Sequence, residues 1–249
     1  MRTEIFATPG SVTLQINVPA GNVDLETRDP GETTVELEVR GRDADELERE
    51  TRIEARPRVD GHEVLVDAAQ VRRLLRSRNG EYRVRIETPH GTAVRAELAS
   101  ADIRGRGRYG ELDLDVASGD VEFDQVDGEA KVNTASGDIE LRRVGSARLN
   151  AASGDVRVDE ASGSVDVNTA SGDVQIRKVA EGTVKIHSAS GDVEVGIATG
   201  SRLWVDAQSL SGDTSSELEL EPAPVSDDDG PLVELRAQTM SGDIAVRRA

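Results

Sequence analysis

The sequence predicts an all-β fold: a single-stranded β-solenoid, in which β-helix-like coils of about 18 residues, each with two short strands, stack behind an N-terminal β cap region. Three features of the 249-residue chain predict this fold. A tripeptide recurs at a nearly constant spacing, apolar and polar residues alternate between its copies, and glycines recur midway between them. A repeat of this kind specifies architecture, whereas catalysis normally depends on one unrepeated set of residues.

The recurring tripeptide is Ser-Gly-Asp, which usually follows a small residue and precedes Val or Ile. Its seven copies start at Ser118, Ser136, Ser153, Ser171, Ser190, Ser211 and Ser241, and a relaxed copy starts at Ser100. Successive starts from Ser100 differ by 18, 18, 17, 18, 19, 21 and 30 residues. This period indicates supersecondary units that stack on one another, with insertions in the last intervals.

Between the copies, apolar and polar residues alternate with a period of two, as in half-buried strands. Leu114 and Val116, for example, flank Asp115. Stacked coils align their inward residues in columns of apolar or small side chains. The four predicted columns are Leu114, Val132, Leu149, Val167, Ile186; Val116, Thr134, Ala151, Thr169, Ser188; Val121, Ile139, Val156, Val174, Val193; and Phe123, Leu141, Val158, Ile176, Val195. The outward residues that predict a side-chain amide ladder are Asn133, Asn150 and Asn168.

Each coil is predicted to turn at two corners, and both corners contain glycine, which supplies the positive φ that tight corners require. The structural turns predicted at the Ser-Gly-Asp corners contain Gly119, Gly137, Gly154, Gly172 and Gly191. The second corners contain Gly128, Gly145, Gly163, Gly182 and Gly200.

An aspartate column follows the first corners, and its members are Asp120, Asp138, Asp155, Asp173 and Asp192. We expect these side chains to form Asx-turns with nearby backbone N–H groups. The alternative is a calcium-binding column, since glycine-aspartate solenoids hold calcium with carboxylates at their corners. Here the acidic corner occurs once per coil rather than once per half-coil, which favours the structural interpretation.

Residues 1–98 follow the repeat only loosely and are predicted to form the N-terminal β cap with degenerate repeats, because an uncovered solenoid edge would template aggregation. Within this region, Asp43–Glu50 predicts a short helical turn capped by its first residue. Ile53–Arg58 and Glu63–Asp67 predict a hairpin. Residues 70–80 predict a basic loop, and its candidate interaction residues are Arg72, Arg73, Arg76 and Arg78. The candidate targets of this basic loop are an acidic partner, an anionic lipid surface and the acidic face of the protein itself.

Residues 99–249 are predicted to hold the solenoid repeats, with a C-terminal loop insertion near 214–231 that prolines and a run of aspartates mark. After this insertion, Leu232–Leu235 is expected to re-enter the stack. The copy of the tripeptide at Ser241 is then expected to close the stack.

Trp204, the single tryptophan of the chain, is a second candidate interaction residue. It lies between the inward residues Leu203 and Val205, so the alternation points its side chain outward. Either the insertion roofs this side chain or it forms an exposed interaction site.

Composition excludes several classes of function. The chain carries 30 basic and 48 acidic residues, a net charge of −18, which argues against nonspecific binding of nucleic acid. It contains no cysteine, so it forms no disulfide, and with only 2% aromatic residues its core is expected to consist of Val, Ile, Leu and Ala.

Neither a signal peptide nor a membrane span is visible, which predicts a cytoplasmic protein.

The sequence favours a protein without catalytic activity. An enzyme acting on polysaccharide would need paired carboxylates and usually aromatic platforms. The strand carboxylates considered for this role lie in one coil and are Asp113, Asp115, Glu122 and Asp124. The three histidines, His62, His90 and His187, are scattered. We therefore predict no catalytic residue, no cofactor and no clustered metal site.

The Ala-Ser-Gly-Asp-Val stretches from Ala117 through Val193 resemble the bacterial and archaeal β-strand-repeat family of adhesin-like domains of unknown function. The segments Thr8–Val12 and Pro19–Val23 also resemble that family, so the resemblance covers nearly the whole chain. It implies a solenoid fold and an adhesin-like role, and it assigns no catalytic residues.

The leading hypothesis is a non-enzymatic β-solenoid scaffold or adhesin-like interaction module, with an unknown protein or cell-surface partner. The first alternative is an intracellular solenoid that self-assembles through the ends of its stack. A polysaccharide-active or calcium-binding β-helix protein is the second alternative.

Overall fold

The computed structural model describes residues 1–29, 31–68, 80–216 and 230–249. It confirms the predicted all-β solenoid class, with one short helix among the described residues. The chain forms two compact units, residues 1–137 (unit 1) and residues 138–249 (unit 2). The division into 1–98 and 99–249 stays a prediction.

Unit 1 combines parallel coils with antiparallel covering strands. Its elements are β1 (Arg2–Ala7), β2 (Ser11–Arg28), β3 (Glu32–Arg40), α1 (Ala44–Glu50), β4 (Arg52–Arg58), β5 (Gly61–Asp67), β6 (Glu81–Pro89), β7 (Thr92–Ser118) and β8 (Val121–Ser136). The first half of β2 pairs in parallel with β5 and its second half with β6, while β7 pairs with both halves and then with β8. β3 runs antiparallel to β6 and β1 antiparallel to β3. The antiparallel pair β4–β5 confirms the predicted hairpin.

The helix α1 begins after Asp43, as the acidic segment predicts. Its N-terminal turn is held by backbone bonds, because the N–H groups of Glu46 and Leu47 donate to the Asp43 carbonyl at 3.1 and 3.0 Å. Asp43 occupies the N-cap position, as predicted, but its side chain makes no capping hydrogen bond. The buried Leu47 side chain anchors the helix instead.

Unit 2 consists of parallel coils. Its strands are β9 (Ile139–Ser153), β10 (Val156–Ala161), β11 (Val165–Ser171), β12 (Val174–Val179), β13 (Gly182–Ser190), β14 (Val193–Ile197), β15 (Arg202–Ser209), β16 (Thr214–Ser216), β17 (Leu232–Ser241) and β18 (Ile244–Arg248). One row of half-coils runs β9, β11, β13, β17, β15, and the other runs β9, β10, β12, β14, β18, β16. Long β9 bends at a corner and serves both rows.

The last two coils stack in the reverse of their sequence order. β17 pairs with β13 on one side and with β15 on the other, and β18 lies likewise between β14 and β16. The coil that contains Ser241 is therefore an inner coil, and the expectation that it closes the stack is wrong. The coil formed by residues 202–216, which we call the terminal coil, takes the outer position.

The predicted columns form the core of each unit. In unit 2, Leu149, Val167 and Ile186 lie in register and are fully buried. In unit 1, Leu114 lies opposite Val132 in the same way. Each fully buried side chain of this size contributes about 1.5–3 kcal/mol, so the repetition of these contacts stabilises the stack.

The core of unit 1 also contains aromatic residues, contrary to the expectation of a purely Val, Ile, Leu and Ala interior. Tyr109 and Phe123 are fully buried, with ring centroids 5.1 Å apart and an interplanar angle of 84°. This edge-to-face geometry is favourable for aromatic pairs. Gly105 makes room for Phe123, because a side chain at residue 105 would overlap the ring.

The two glycine series have different roles. At the Ser-Gly-Asp corners all five predicted turn glycines have positive φ, between +126° and +142°. At the second corners, positive φ occurs at Gly182 and Gly200 but not at Gly128, Gly145 or Gly163. The prediction of positive φ is thus wrong for those three residues. At Gly128 and Gly163 a side chain would instead approach a carbonyl oxygen of the adjacent coil at 2.8 Å.

Candidate functional site

The terminal coil leaves one edge of the unit 2 sheet without a neighbour among the described strands. Its strands β15 and β16 pair with β17 and β18 on one side only. The Arg202 N–H donates to the Pro231 carbonyl, just before β17, at 2.9 Å, and the Leu210 N–H donates to the Thr239 carbonyl of β17 at 3.1 Å. Backbone polar groups alternate in direction along a strand, so the intervening Leu203, Val205 and Ala207 direct theirs to the open edge.

Apolar side chains are exposed on this coil. Trp204 is 47% exposed, Val205 40% and Leu210 82%. The adjoining strand β17 differs sharply, since its inward residues Val233 and Leu235 are fully buried beneath the terminal coil. The terminal coil therefore covers the core of unit 2 while part of its own apolar surface faces solvent.

Polar contacts hold the outward side chains of this region in place. The guanidinium of Arg236 lies 5.5 Å from the ring centroid of Trp204, within the range of a cation–π interaction. The same guanidinium pairs with Glu234 at 2.5 Å. On β15, the Gln208 side-chain amide donates to the Asp206 carboxylate at 3.1 Å. Trp204 faces outward, as the alternation predicts, and it is exposed.

The aspartate column forms hydrogen bonds between coils. In unit 2 each Asp N–H donates to the carboxylate of the Asp on the adjacent coil, at distances of 2.8–2.9 Å. The acceptors follow the spatial order Asp138, Asp155, Asp173, Asp192, Asp243. In unit 1 the Asp120 N–H donates to Asp102 at 3.1 Å. The expectation of Asx-turns is therefore wrong. Each carboxylate accepts a hydrogen bond from the adjacent coil and so joins successive corners.

The aspartate column ends at the terminal coil. Asp213 donates its N–H to Asp243 at 2.8 Å, as in the other coils. No described donor reaches its carboxylate, because no described coil follows. Within the described residues, the terminal coil thus presents a carboxylate that accepts no hydrogen bond and a backbone edge that pairs with no strand.

Calcium binding by this column stays an untested alternative. Among residues 1–29, 31–68, 80–216 and 230–249, no group of three or more His, Asp or Glu side chains is placed to hold a metal ion. The histidines lie apart: His62 contacts the Pro9 carbonyl at 3.2 Å, and His90 contacts the Thr27 hydroxyl at 2.8 Å. His187 lies beside Asn168 in the outward ladder.

The strand carboxylates considered for catalysis each have a structural partner. Asp113 pairs with Lys131 at 3.1 Å, and Asp115 accepts from the Asn133 amide at 2.7 Å. The other two contacts are those of Glu122 with Arg104 at 3.6 Å and of Asp124 with the Gly107 N–H at 3.0 Å. These contacts join neighbouring coils or strands. In the predicted amide ladder, a hydrogen bond of 3.1 Å between the Asn168 and Asn150 side chains likewise joins two coils.

The fold and the repeated corners define a class of protein, the β-solenoid repeat domains. Within this class the chain belongs to the Toastrack family, a family of domains of unknown function, because the family model Toastrack DUF4097 matches residues 12–247. Among curated proteins no significant sequence match is found.

Solved structures share the fold at low sequence identity. One, described as a "putative adhesin" from Bacteroides fragilis, is 13% identical to this chain, with a TM-score of 0.56 over 98% of this chain and 96% of that chain. Another, described as a "putative lipid binding protein" from Parabacteroides distasonis, is 10% identical, with a TM-score of 0.42 over 100% of this chain and 96% of that chain. The likeness to the first extends to the fold alone.

No described helix has the length and apolar character needed to cross a membrane. The predicted basic site at Arg72, Arg73, Arg76 and Arg78 lies outside the described residues. Sequence reasoning identified Trp204 but missed that its strand lies at the edge of the described sheet, because the order of the coils decides which strand lies there.

Proposed function

We propose that this chain is a non-enzymatic β-solenoid scaffold that works as an adhesin-like interaction module, and that its terminal coil binds a protein partner. One observation carries the proposal: β15 combines exposed Trp204 and Val205 with a backbone edge that pairs with no other described strand. An open strand of this kind can receive an extended segment as an added strand. Backbone hydrogen bonds then supply affinity and the side chains supply specificity.

The outer strands of unit 1 support this proposal by contrast. Natural proteins protect edge strands with proline and with charged side chains, which prevent unwanted pairing. β4 has both devices: Pro57 removes one backbone donor, and Arg52, Glu54 and Arg56 form a chain of ion pairs along it. β15 contains no proline, and between its two charged residues, Arg202 and Asp206, it carries the apolar residues Leu203, Trp204 and Val205. An edge with less protection than β4 favours a binding role over a purely structural one.

The wider similarities support an interaction module as well. The family has no assigned activity, and the Bacteroides fragilis structure is described as a "putative adhesin". The proposed partner is an unknown protein or a protein on a cell surface, and the cytoplasmic location predicted from the sequence stays a prediction. The four strand carboxylates serve contacts between coils or strands, which favours a role without catalysis.

Site-specific photo-crosslinking in living cells tests this proposal. A photoreactive phenylalanine analogue at Leu210 should give protein adducts, because this side chain is 82% exposed beside β15. The matched control carries the analogue at Val59, an equally apolar and fully exposed position in unit 1. Val205→Pro should abolish the adducts at Leu210, because proline removes a backbone N–H that faces the open edge and not β17. Equal adducts at both positions, or adducts that survive Val205→Pro, would contradict the proposal.

A further inference from the structure

We propose that the partner of the terminal coil is a second copy of this chain, and that the two β15 strands pair antiparallel about a two-fold axis through Trp204. This inference rests on the proposed function, since it names the occupant of the same open edge. Four properties of β15 carry it: the direction of its backbone groups, the position of its charges, its exposed apolar residues and the absence of proline from it.

The backbone limits the registers that a symmetric pair can adopt. Leu203, Val205 and Ala207 direct their N–H and C=O groups to the open edge, so an added strand bonds at these odd-numbered positions. In an antiparallel pair, residues that exchange hydrogen bonds lie directly opposite one another. A two-fold pair therefore places odd-numbered residues opposite odd-numbered residues, with its axis through a single residue of β15.

The charges select one of the remaining registers. With the axis at Trp204, Arg202 of each copy lies opposite Asp206 of the other, which gives two ion pairs of opposite charge. With the axis at Val205, Arg202 faces the neutral Gln208. With the axis at Asp206, two carboxylates face each other. Opposite charges across strands stabilise a pair and like charges destabilise it, so the register at Trp204 is favoured.

Arg202 is already positioned for this contact. Its Nε donates to the Gly230 carbonyl at 3.1 Å, which holds the side chain at the start of β15. The two terminal nitrogens of the guanidinium have no described partner and remain as donors. Asp206 accepts one bond from Gln208 and keeps further acceptor capacity.

The same register matches apolar residues on both faces. Trp204 meets Trp204 on the outward face, at the position without backbone bonds, where opposing side chains approach most closely. On the inward face Leu203 meets Val205 twice. Val205 is 40% exposed and Trp204 47% exposed in the single chain, so pairing removes apolar surface from water at both positions.

A pair of this kind is closed. An interface that joins identical patches about a two-fold axis uses each patch once and leaves none for a third copy. This differs from the filament that end-to-end assembly of solenoids would form. Protected β4, with its proline and charges, offers no complementary apolar edge for such growth.

The experiment is sedimentation velocity of the purified full chain across a concentration series, with fluorescence of the single tryptophan as a second readout. At about 100 μM, where weak interfaces associate, the mass should be twice 26.6 kDa. Tryptophan emission should shift to shorter wavelength as the dimer forms, because Trp204 leaves water. Asp206→Arg should weaken association by about tenfold or more, since two attractive pairs become repulsive.

Two further variants define the register. The double variant Arg202→Asp with Asp206→Arg exchanges the charges and should restore the dimer. Gln208→Arg should leave the dimer unchanged, whereas with the axis at Val205 it would place arginine opposite arginine. Circular dichroism checks that each variant is folded, which matters most at position 206 because Asp206 is half-buried whereas Arg202 and Gln208 are exposed.

The outcomes separate this inference from the proposed function. A wild-type chain that stays monomeric at about 100 μM, a dimer that survives Asp206→Arg, failure of the charge exchange, or loss of the dimer in Gln208→Arg would each overturn the inference. A monomer that still gives specific adducts from Leu210 in cells would leave the proposed function standing with a different protein as partner. A monomer without such adducts would overturn both.

Discussion

At the scale of single residues, the glycine of the Ser-Gly-Asp corner satisfies two requirements together. Gly172 has a φ of +126°, a conformation that residues with a side chain rarely adopt. A Cβ atom at this residue would also lie 2.1 Å from the Gly154 carbonyl oxygen of the adjacent coil. The corner therefore needs glycine both for its own backbone angle and for the close approach of the next coil.

Two substitutions separate these requirements. Gly172→Ala should lower the free energy of unfolding by more than about 1 kcal/mol, because strain and overlap add. Gly200→Ala should lower the free energy of unfolding by less. Gly200 also has positive φ, at +89°, but a Cβ atom there would meet nothing within 4 Å, so only the backbone strain applies. Denaturant unfolding followed by circular dichroism measures both values. Equal losses would show that overlap with the adjacent coil contributes nothing.

At the scale of elements, hydrogen bonds and charges hold each coil on the next. The aspartate column bonds successive corners in unit 2, so each coil completes a bond for its neighbour. In unit 1 a row of alternating charge crosses five strands, and its residues are Glu36, Arg85, Asp24, Arg104 and Glu122. Exposed ion pairs contribute little energy each. Their alternation nevertheless favours one register, because a shifted strand would place like charges together.

Substitutions at Asp173 test the bonds between corners. Asp173→Ala removes the carboxylate that accepts the 2.9 Å hydrogen bond from the Asp192 N–H. We expect this substitution to lower the free energy of unfolding by about 1 kcal/mol. Asp173→Asn should be close to neutral, because its carbonyl oxygen still accepts this bond and one negative charge of the column is removed. Thermal melting of the three proteins, with calcium and with a chelator, provides the measurement. A clear stabilisation by calcium that Asp173→Asn abolishes would favour the calcium-binding alternative.

At the scale of the whole molecule, the repeat makes single coils interchangeable. β11 pairs with β9 and with β13 in one continuous register, and β12 pairs with β10 and β14 in the same way over the first strand positions. Each coil contacts only its neighbours, so the stability of such a stack is approximately a sum of local terms. Removing one complete coil should shorten unit 2 without destroying it.

Deletion of the 18 residues Asp155–Gly172 tests this property, since it rejoins Gly154 to Asp173 and restores an intact Ser-Gly-Asp-Val corner. The shortened chain should fold with a β-type circular dichroism spectrum and unfold cooperatively at a somewhat lower temperature. Deletion of only Asp155–Gly163 is the control, because it removes half a coil and joins two strands of the same row. If the complete-coil deletion fails to fold while the half-coil deletion succeeds, the interchangeability of coils is disproved.

Much of the fold follows from local sequence. The period of two along each strand, the Ser-Gly-Asp corners and the columns of apolar residues follow from residues close together in the chain, and all are confirmed. The helix at Ala44–Glu50 and the hairpin β4–β5 are also confirmed. The positive φ predicted at the second corners is wrong for Gly128, Gly145 and Gly163, because the backbone there depends on which groups of the adjacent coil lie nearby in space.

The sequence by itself determined the plan of one coil and the residues that face its interior. Only the tertiary structure decided that the coil of Ser241 lies inside that of Ser211 and that Trp204 stands at an open edge. The physical reason is that both coils carry the same corner and the same alternation, so either order fills the inward columns. Contacts between distant residues make that choice, and the period of the repeat contains no information about it.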